Sequence, residues 1–241
     1  AFKAHMLIEA YKLAFGHLDR LGHATDPDAV CTAMLAGAAM RAEREAIGPR
    51  ATDGPAMARN YGETTQCAAV DARGRVATLI HSLYRPFGAR VLSPTTGLIA
   101  NDRGASFTDG ANAPAPLARP RHTLVNVLAE SPDGGLYALG TPGAQAQTQT
   151  NLQVLARLFA DPAALADAVL APRWSFIGGR GLACEADMAE PTLDSLRRLG
   201  HAIGVRPPRD WLMGSVSLAA FRDGLCHAVA DDRRMAIALA L

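Results

Sequence analysis

The sequence predicts a layered α/β or α+β domain, and three observations carry that prediction. Two apolar, β-branched runs, residues 65–70 and 76–83, flank the turn-forming residues Asp71 to Arg75, a hairpin signature. Strand-like and helix-like periodicities then alternate along the rest of the chain. Its 241 residues with 49% apolar content suffice for a sizeable core. These signals alone admit several layer arrangements.

In chain order, Ala1 already stands inside a helical pattern and no initiator methionine precedes it, the look of a fragment. Asp26 can cap a helix with Pro27 in its first turn, and an Ala-rich helix is predicted over 28–47, stopping at Gly48 and Pro49. Residues 50–62 lack periodicity and carry Gly54, Pro55, Asn60 and Gly62, which reads as a loop. After the hairpin come a polar loop over 109–121, strands over 123–128 and 136–141, and a helix over 145–159. That helix has an apolar stripe of Leu152, Leu155, Leu158 and Phe159. The chain divides once, at residue 63: helices and loop before it, the strand-rich part, 64–241, after it.

Composition excludes several classes of partner. Twenty-four basic and 23 acidic residues are interspersed, so no basic stripe marks a nucleic-acid partner. No apolar run approaches the ~20 residues of a membrane span. Cys31, Cys67, Cys184 and Cys226 form no CxxC or ligand set and are predicted to be buried free thiols, which favours a reducing, cytoplasmic compartment. No pair among the seven histidines has metal-ligand spacing, and neither a metal nor another cofactor is predicted.

The chemistry concentrates at Glu63, Thr64 and Thr65. A threonine hydroxyl needs an adjacent base, and the α-amine of the same residue can supply it once the preceding peptide bond is cut. A loop leading into the threonine leaves the scissile carbonyl free to meet the hydroxyl. A hairpin centred on Arg73 sets position 64 opposite position 82, so Thr64 faces Ser82, with directly opposed Cβ atoms about 4.5–5.5 Å apart. Cys67, at an odd offset from Thr64, points to the other face. Thr141, Pro142, Gly143 and Ala144 join a strand to a helix, which leaves the Gly143 and Ala144 amides unpaired at a helix N-terminus and suited to an oxyanion hole. A threonine-rich strand and a tight turn are the plain alternatives.

Taken together, Thr64, Thr65, Asp71 and Gly74, then Phe87–Gly88, Thr96–Gly97, Asn101 and Phe107, resemble the catalytic subunit of γ-glutamyltranspeptidases. The resemblance continues through Arg119–Pro120, Thr141–Pro142–Gly143, the run Ala171, Pro172, Arg173 and Trp174, then Gly200–His201 and Asp232–Arg233. Upstream, Glu9, Ala10, Lys12 to Phe15, Asp19 and Arg20 are similar to the last helices of the family's large subunit. The resemblance implies an α+β fold, the four-layer αββα sandwich of N-terminal nucleophile hydrolases. It also implies cleavage between Glu63 and Thr64, with Thr64, Ser82, Gly143 and Ala144 as catalytic groups. Residues 1–63 become the C-terminal tail of the large subunit, the rest of that subunit becomes a partner, and homo- or hetero-oligomers stay open.

Substrate recognition departs from the family's main line. Where an acid holds the substrate α-amine, this chain has Ser106; Tyr84 replaces an asparagine, His122 and Thr123 replace a serine pair, and Arg103 replaces a neutral amide. These positions resemble transpeptidase-like amide hydrolases such as oxamate amidohydrolases and acylases. Losing an anion and gaining an arginine favours a small amide whose acyl group carries a carboxylate but no ammonium. Two alternatives remain: γ-glutamyl transfer or glutathione hydrolysis, and an inert remnant with a structural or binding role.

Overall fold

A computed structural model describes residues 2–18, 26–57, 63–161 and 164–240. Asp19, Arg20, Asn60 and Gly62, each part of a motif or loop above, lie outside the described residues. Three helices precede the strands: α1 (Phe2–Gly16), α2 (Pro27–Leu35) and α3 (Gly37–Ala46). Asp26 caps α2 by accepting from the Ala29 amide at 2.9 Å. The single Ala-rich helix expected over 28–47 is instead two, because Ala36 turns extended at ψ 138° and ends one helix while starting the next.

The hairpin forms as β1 (Glu63–Val70) and β2 (Val76–Tyr84), with Val70 facing Val76 and Thr64 facing Ser82. Asp71 locks the turn. Its carboxylate accepts from the Arg73 and Arg75 amides, both at 3.0 Å, and pairs with the Arg75 guanidinium at 2.6 Å. A register shift falls between Glu63 and Thr64, so that Glu63 faces Tyr84.

This hairpin stacks on an antiparallel sheet ordered β3 (Asn126–Glu130), β4 (Leu136–Gly140), β8 (Ser217–Arg222) and β9 (Leu225–Ala230). On the sheet's other face lie α4 (Ala146–Leu158) and α5 (Leu165–Leu170), enclosing a core of Tyr137, Leu139, Val154, Leu158, Val169 and Leu218. Helix, sheet and sheet are thus three layers of the expected sandwich. The outer hairpin face exposes Thr65, Cys67, Leu79 and His81. Phe159, predicted on the apolar stripe, is half exposed just past the end of α4. Among the cysteines only Cys184 is buried; Cys31, Cys67 and Cys226 are exposed, which corrects the expectation of four buried thiols.

A second sheet, β5 (Trp174–Gly178), β6 (Gly181–Glu185) and β7 (Ala202–Arg206), packs with α1 and α6 (Glu190–Arg198). Its core joins Ile8 and Tyr11 of α1 to Trp174, Phe176, Leu182 and Leu196. The residue-63 boundary is therefore not a packing boundary. Helix α4 is stapled between the two sheets by its amides: Gln149 and Gln153 pair with both backbone groups of Phe176 and Trp174, and Gln147 and Asn151 with those of Val125. Each of the four buried amides meets backbone in or beside a strand, and Gln147 Nε2 and Asn151 Oδ1 are left without a partner among the described residues.

Candidate active site

Two close approaches orient the hairpin over the sheet. Gly74, in the turn, lies against the Phe221 ring at one end, and Gln66 lies against Gly140 at the other. Thr64, two residues beyond Gln66 on the same face, therefore projects past the end of β4 toward the turn at Thr141. Its register partner Ser82 accepts from the Tyr84 amide at 3.0 Å. The strand therefore brings Thr64 and Ser82 together, at the sandwich end that carries Gly143 and Ala144.

The turn itself is built on positive φ. Gly143 has φ 136° and Ala144 φ 49°, so an alanine sits in the left-handed region that costs an L-residue roughly 1–2 kcal/mol. Gly143 O accepts from Ala146 N at 2.9 Å, and Ala144 O from Gln147 N at 3.2 Å. Neither the Gly143 nor the Ala144 amide donates to another group among the described residues. A cavity of about 370 Å³ opens beside Gly143, lined by Met57, Phe176, Val205, Trp211 and Met213 with Arg234 at its wall.

The predicted binding residues converge next to this end. The Arg103 guanidinium lies 4.9 Å from the Tyr84 ring centroid and donates to Thr123 Oγ1 at 2.7 Å. Tyr84 is buried and holds φ 77°, just after the strand position that opposes Thr64. Burial lowers the Arg103 pKa from its ordinary value, and no carboxylate pairs with it among the described residues. His122 Nδ1 donates to Leu124 O at 3.2 Å; burial, then the Arg103 charge, pull its pKa down, which favours the neutral ring. Ser106 joins differently. Its hydroxyl is directed at Arg103 O, 2.8 Å, and Arg121 O, 3.0 Å, so it shapes the loop that presents Arg103.

One cluster escaped the sequence reading. His5, Glu9 and His201 bring ligand atoms within 4.8 Å of one another, all three side chains buried. The Lys12 ammonium already neutralises Glu9 at 2.7 Å and donates to Thr52 O at 2.8 Å. His5 Nε2 donates to Gly48 O, so Nδ1 of a neutral ring accepts from His201 Nε2 at 2.9 Å. Burial, and next to it the Lys12 charge, bring the His201 pKa down to about 4. The network ties α1 to the backbone of 48–52. The only trace of it in the sequence was the motif positions Glu9, Lys12 and His201.

Comparison with known proteins identifies the family and the fold. The profile of the family described as Gamma-glutamyltranspeptidase matches residues 2–241. The chain belongs to the γ-glutamyltranspeptidase family. It is 29% identical to the oxamate amidohydrolase proenzyme of Klebsiella pneumoniae and 31% identical to the glutathione hydrolase-like YwrD proenzyme of Bacillus subtilis. Each alignment covers 95% of this chain and 45% of the relative, so the chain spans about half the length of these relatives. A cephalosporin acylase from Bacillus halodurans superposes with a TM-score of 0.75 at 26% identity, over 95% of this chain and 43% of that one. A γ-glutamyltranspeptidase from Pseudomonas nitroreducens, complexed with L-DON, superposes at 0.62 and 20% identity, over 73% of this chain and 99% of that one. The fold is thus the α+β fold of N-terminal nucleophile hydrolases. No helix among the described residues is long and apolar enough to cross a membrane.

Proposed function

We propose that this chain carries the catalytic part of a self-processing amide hydrolase acting on small amides whose acyl group bears a carboxylate. In maturation, Thr64 Oγ1 attacks the Glu63 carbonyl carbon, the C–N bond breaks as the acyl group moves to oxygen, and water hydrolyses the ester. Thr64 is left with a free α-amine. In turnover the amine takes the hydroxyl proton as Oγ1 attacks the substrate carbonyl, and passes it to the departing amine. Ser82 orients the hydroxyl, the Gly143 and Ala144 amides hold the oxyanion, and water releases the acid. The rest of the precursor is the partner subunit.

The observation that carries the substrate class is Arg103, held on Tyr84 and Thr123 with no carboxylate paired to it among the described residues, the neighbouring Asp102 being paired with Arg85. A half-buried guanidinium in that setting favours a ligand carboxylate. His122 and Thr123 line the same side, and Ser106 fixes the loop. The glutathione hydrolase-like relative favours a second reading, γ-glutamyl transfer or hydrolysis, but the resemblance implies an acid at position 106 for a γ-glutamyl ammonium, and Ser106, buried on Arg103 O and Arg121 O, offers no anion. Losing a charge-assisted hydrogen bond of roughly 1.5–3 kcal/mol costs about one to two orders of magnitude in kcat/KM.

The test uses the whole protein containing this chain. Intact mass should show a species beginning at Thr64, and Thr64→Ala should abolish both that species and amidase activity. Glutaryl p-nitroanilide should then be hydrolysed faster than γ-glutamyl p-nitroanilide. A γ-glutamyl preference restores the transpeptidase reading, and a wild type that never matures points to the inert remnant.

A further inference from the structure

The Thr141 side chain is fully buried and uses its hydroxyl in both directions. It accepts from the Ser215 amide at 2.8 Å and donates to Pro142 O at 2.8 Å. That carbonyl belongs to the Pro142–Gly143 peptide, which is trans like every described peptide bond. In a trans peptide the C=O and N–H point in opposite directions. Fixing the Pro142 oxygen inward on Thr141 therefore aims the Gly143 N–H outward. The following peptide is held in the same manner, with Gly143 O taken by Ala146 N and the Ala144 N–H left over. Gly214, at φ 82°, makes the arrangement fit: a Cβ there would collide with the Thr141 hydroxyl and lie 3.0 Å from Pro142 O.

We infer that Thr141 is a positioning residue, whose hydroxyl, seated against Gly214, fixes the Pro142–Gly143 peptide so that the Gly143 N–H faces the reacting carbonyl. The inference rests on the proposed function, since it assigns that N–H to the oxyanion. A purely structural Thr141 would only satisfy the Ser215 amide, and its loss would cost stability without touching kcat selectively. Thr150 supplies the comparison. Its hydroxyl donates to Met213 O at 3.0 Å in the same buried cluster but does not touch the Pro142–Gly143 peptide.

The experiment measures kcat, KM and melting temperature of the processed whole protein for Thr141→Val, Thr141→Ser and Thr150→Val. Removal of one oxyanion donor costs about 100- to 1,000-fold, so misaiming one should lower kcat of Thr141→Val by ~10- to 100-fold, with KM within about twofold. Thr141→Ser, which keeps both bonds, should return kcat to near wild type. Thr150→Val should lose comparable stability and keep its kcat. If Thr141→Val does not fold, Thr141→Ala, with room for a water, takes its place with the same sign of effect. Wild-type kcat in the folded Thr141 variant, or an equal kcat loss in Thr150→Val, overturns the inference alone. A wild type that neither matures nor hydrolyses any amide overturns the functional reading and the inference with it.

Discussion

Arg233 and Arg103 both withdraw a guanidinium from water, and they are completed in opposite ways. Arg233 donates to both carboxylate oxygens of Glu185, at 2.8 and 2.6 Å, to Asp231 at 3.1 and 3.2 Å and to Ala171 O. Arg173 closes the knot on Asp231 at 2.6 Å, with burial bringing its own pKa down to about 10. These groups join the end of β6, the start of β8 and the end of β9, so the charge is spent on architecture. Arg103 has an aromatic face and one hydroxyl. The contrast separates an arginine that holds the fold from one that has bonding capacity left for a ligand.

The largest effect should come from breaking the saturated knot. Arg233→Met leaves Glu185 buried without its guanidinium and Asp231 with Arg173 alone, and should cost about 3–5 kcal/mol, read as a lower denaturation midpoint or failure to fold. Arg103→Met should invert that outcome. Stability changes by about 1 kcal/mol or less, the worth of a cation–π contact, while kcat/KM for a carboxylate-bearing amide falls roughly 10- to 100-fold. Equal stability losses in the two variants would erase the distinction. The smallest effect tests an intermediate case. His201 is buried and neutral, its Nδ1 without a partner among the described residues, and its folded pKa is depressed to about 4 from 6.5. The unfolded chain then takes up the proton first, so stability is complete above pH 6.5 and declines as pH falls toward 4. His201→Gln should flatten that part of the stability curve, and an unchanged slope would assign it to other groups.

Much of the site was legible because the hairpin turn is short. Five residues centred on Arg73 fix the register, and a register fixed at the turn persists to Thr64 nine residues away. Tyr84, Arg103, His122 and Thr123 could be grouped only through the resemblance, since nothing local in the sequence reports that residues 84 and 103 stack. His5 and His201, 196 positions apart, lay beyond any spacing argument. Ala36 and Ala144 were invisible for another reason: alanine at an extended break or a left-handed turn goes against its own preference, so the surroundings decide. Three exposed cysteines were misread because residue type predicts burial only on average.

Helix α1 carries a consequence for the matured protein. Ile8 is fully enclosed and the Tyr11 ring meets Phe176 edge-on at 6.1 Å, inside a core otherwise made by residues after position 173. While the backbone is continuous, that contact is intramolecular and benefits from a tether's effective concentration, millimolar for short linkers. If the proposed cut between Glu63 and Thr64 takes place, it removes that tether. The same interface would then obey mass action, and the melting temperature should acquire a dependence on protein concentration that the uncut chain lacks. A melting temperature of the cut protein that does not fall on dilution would show that the interface holds without the tether.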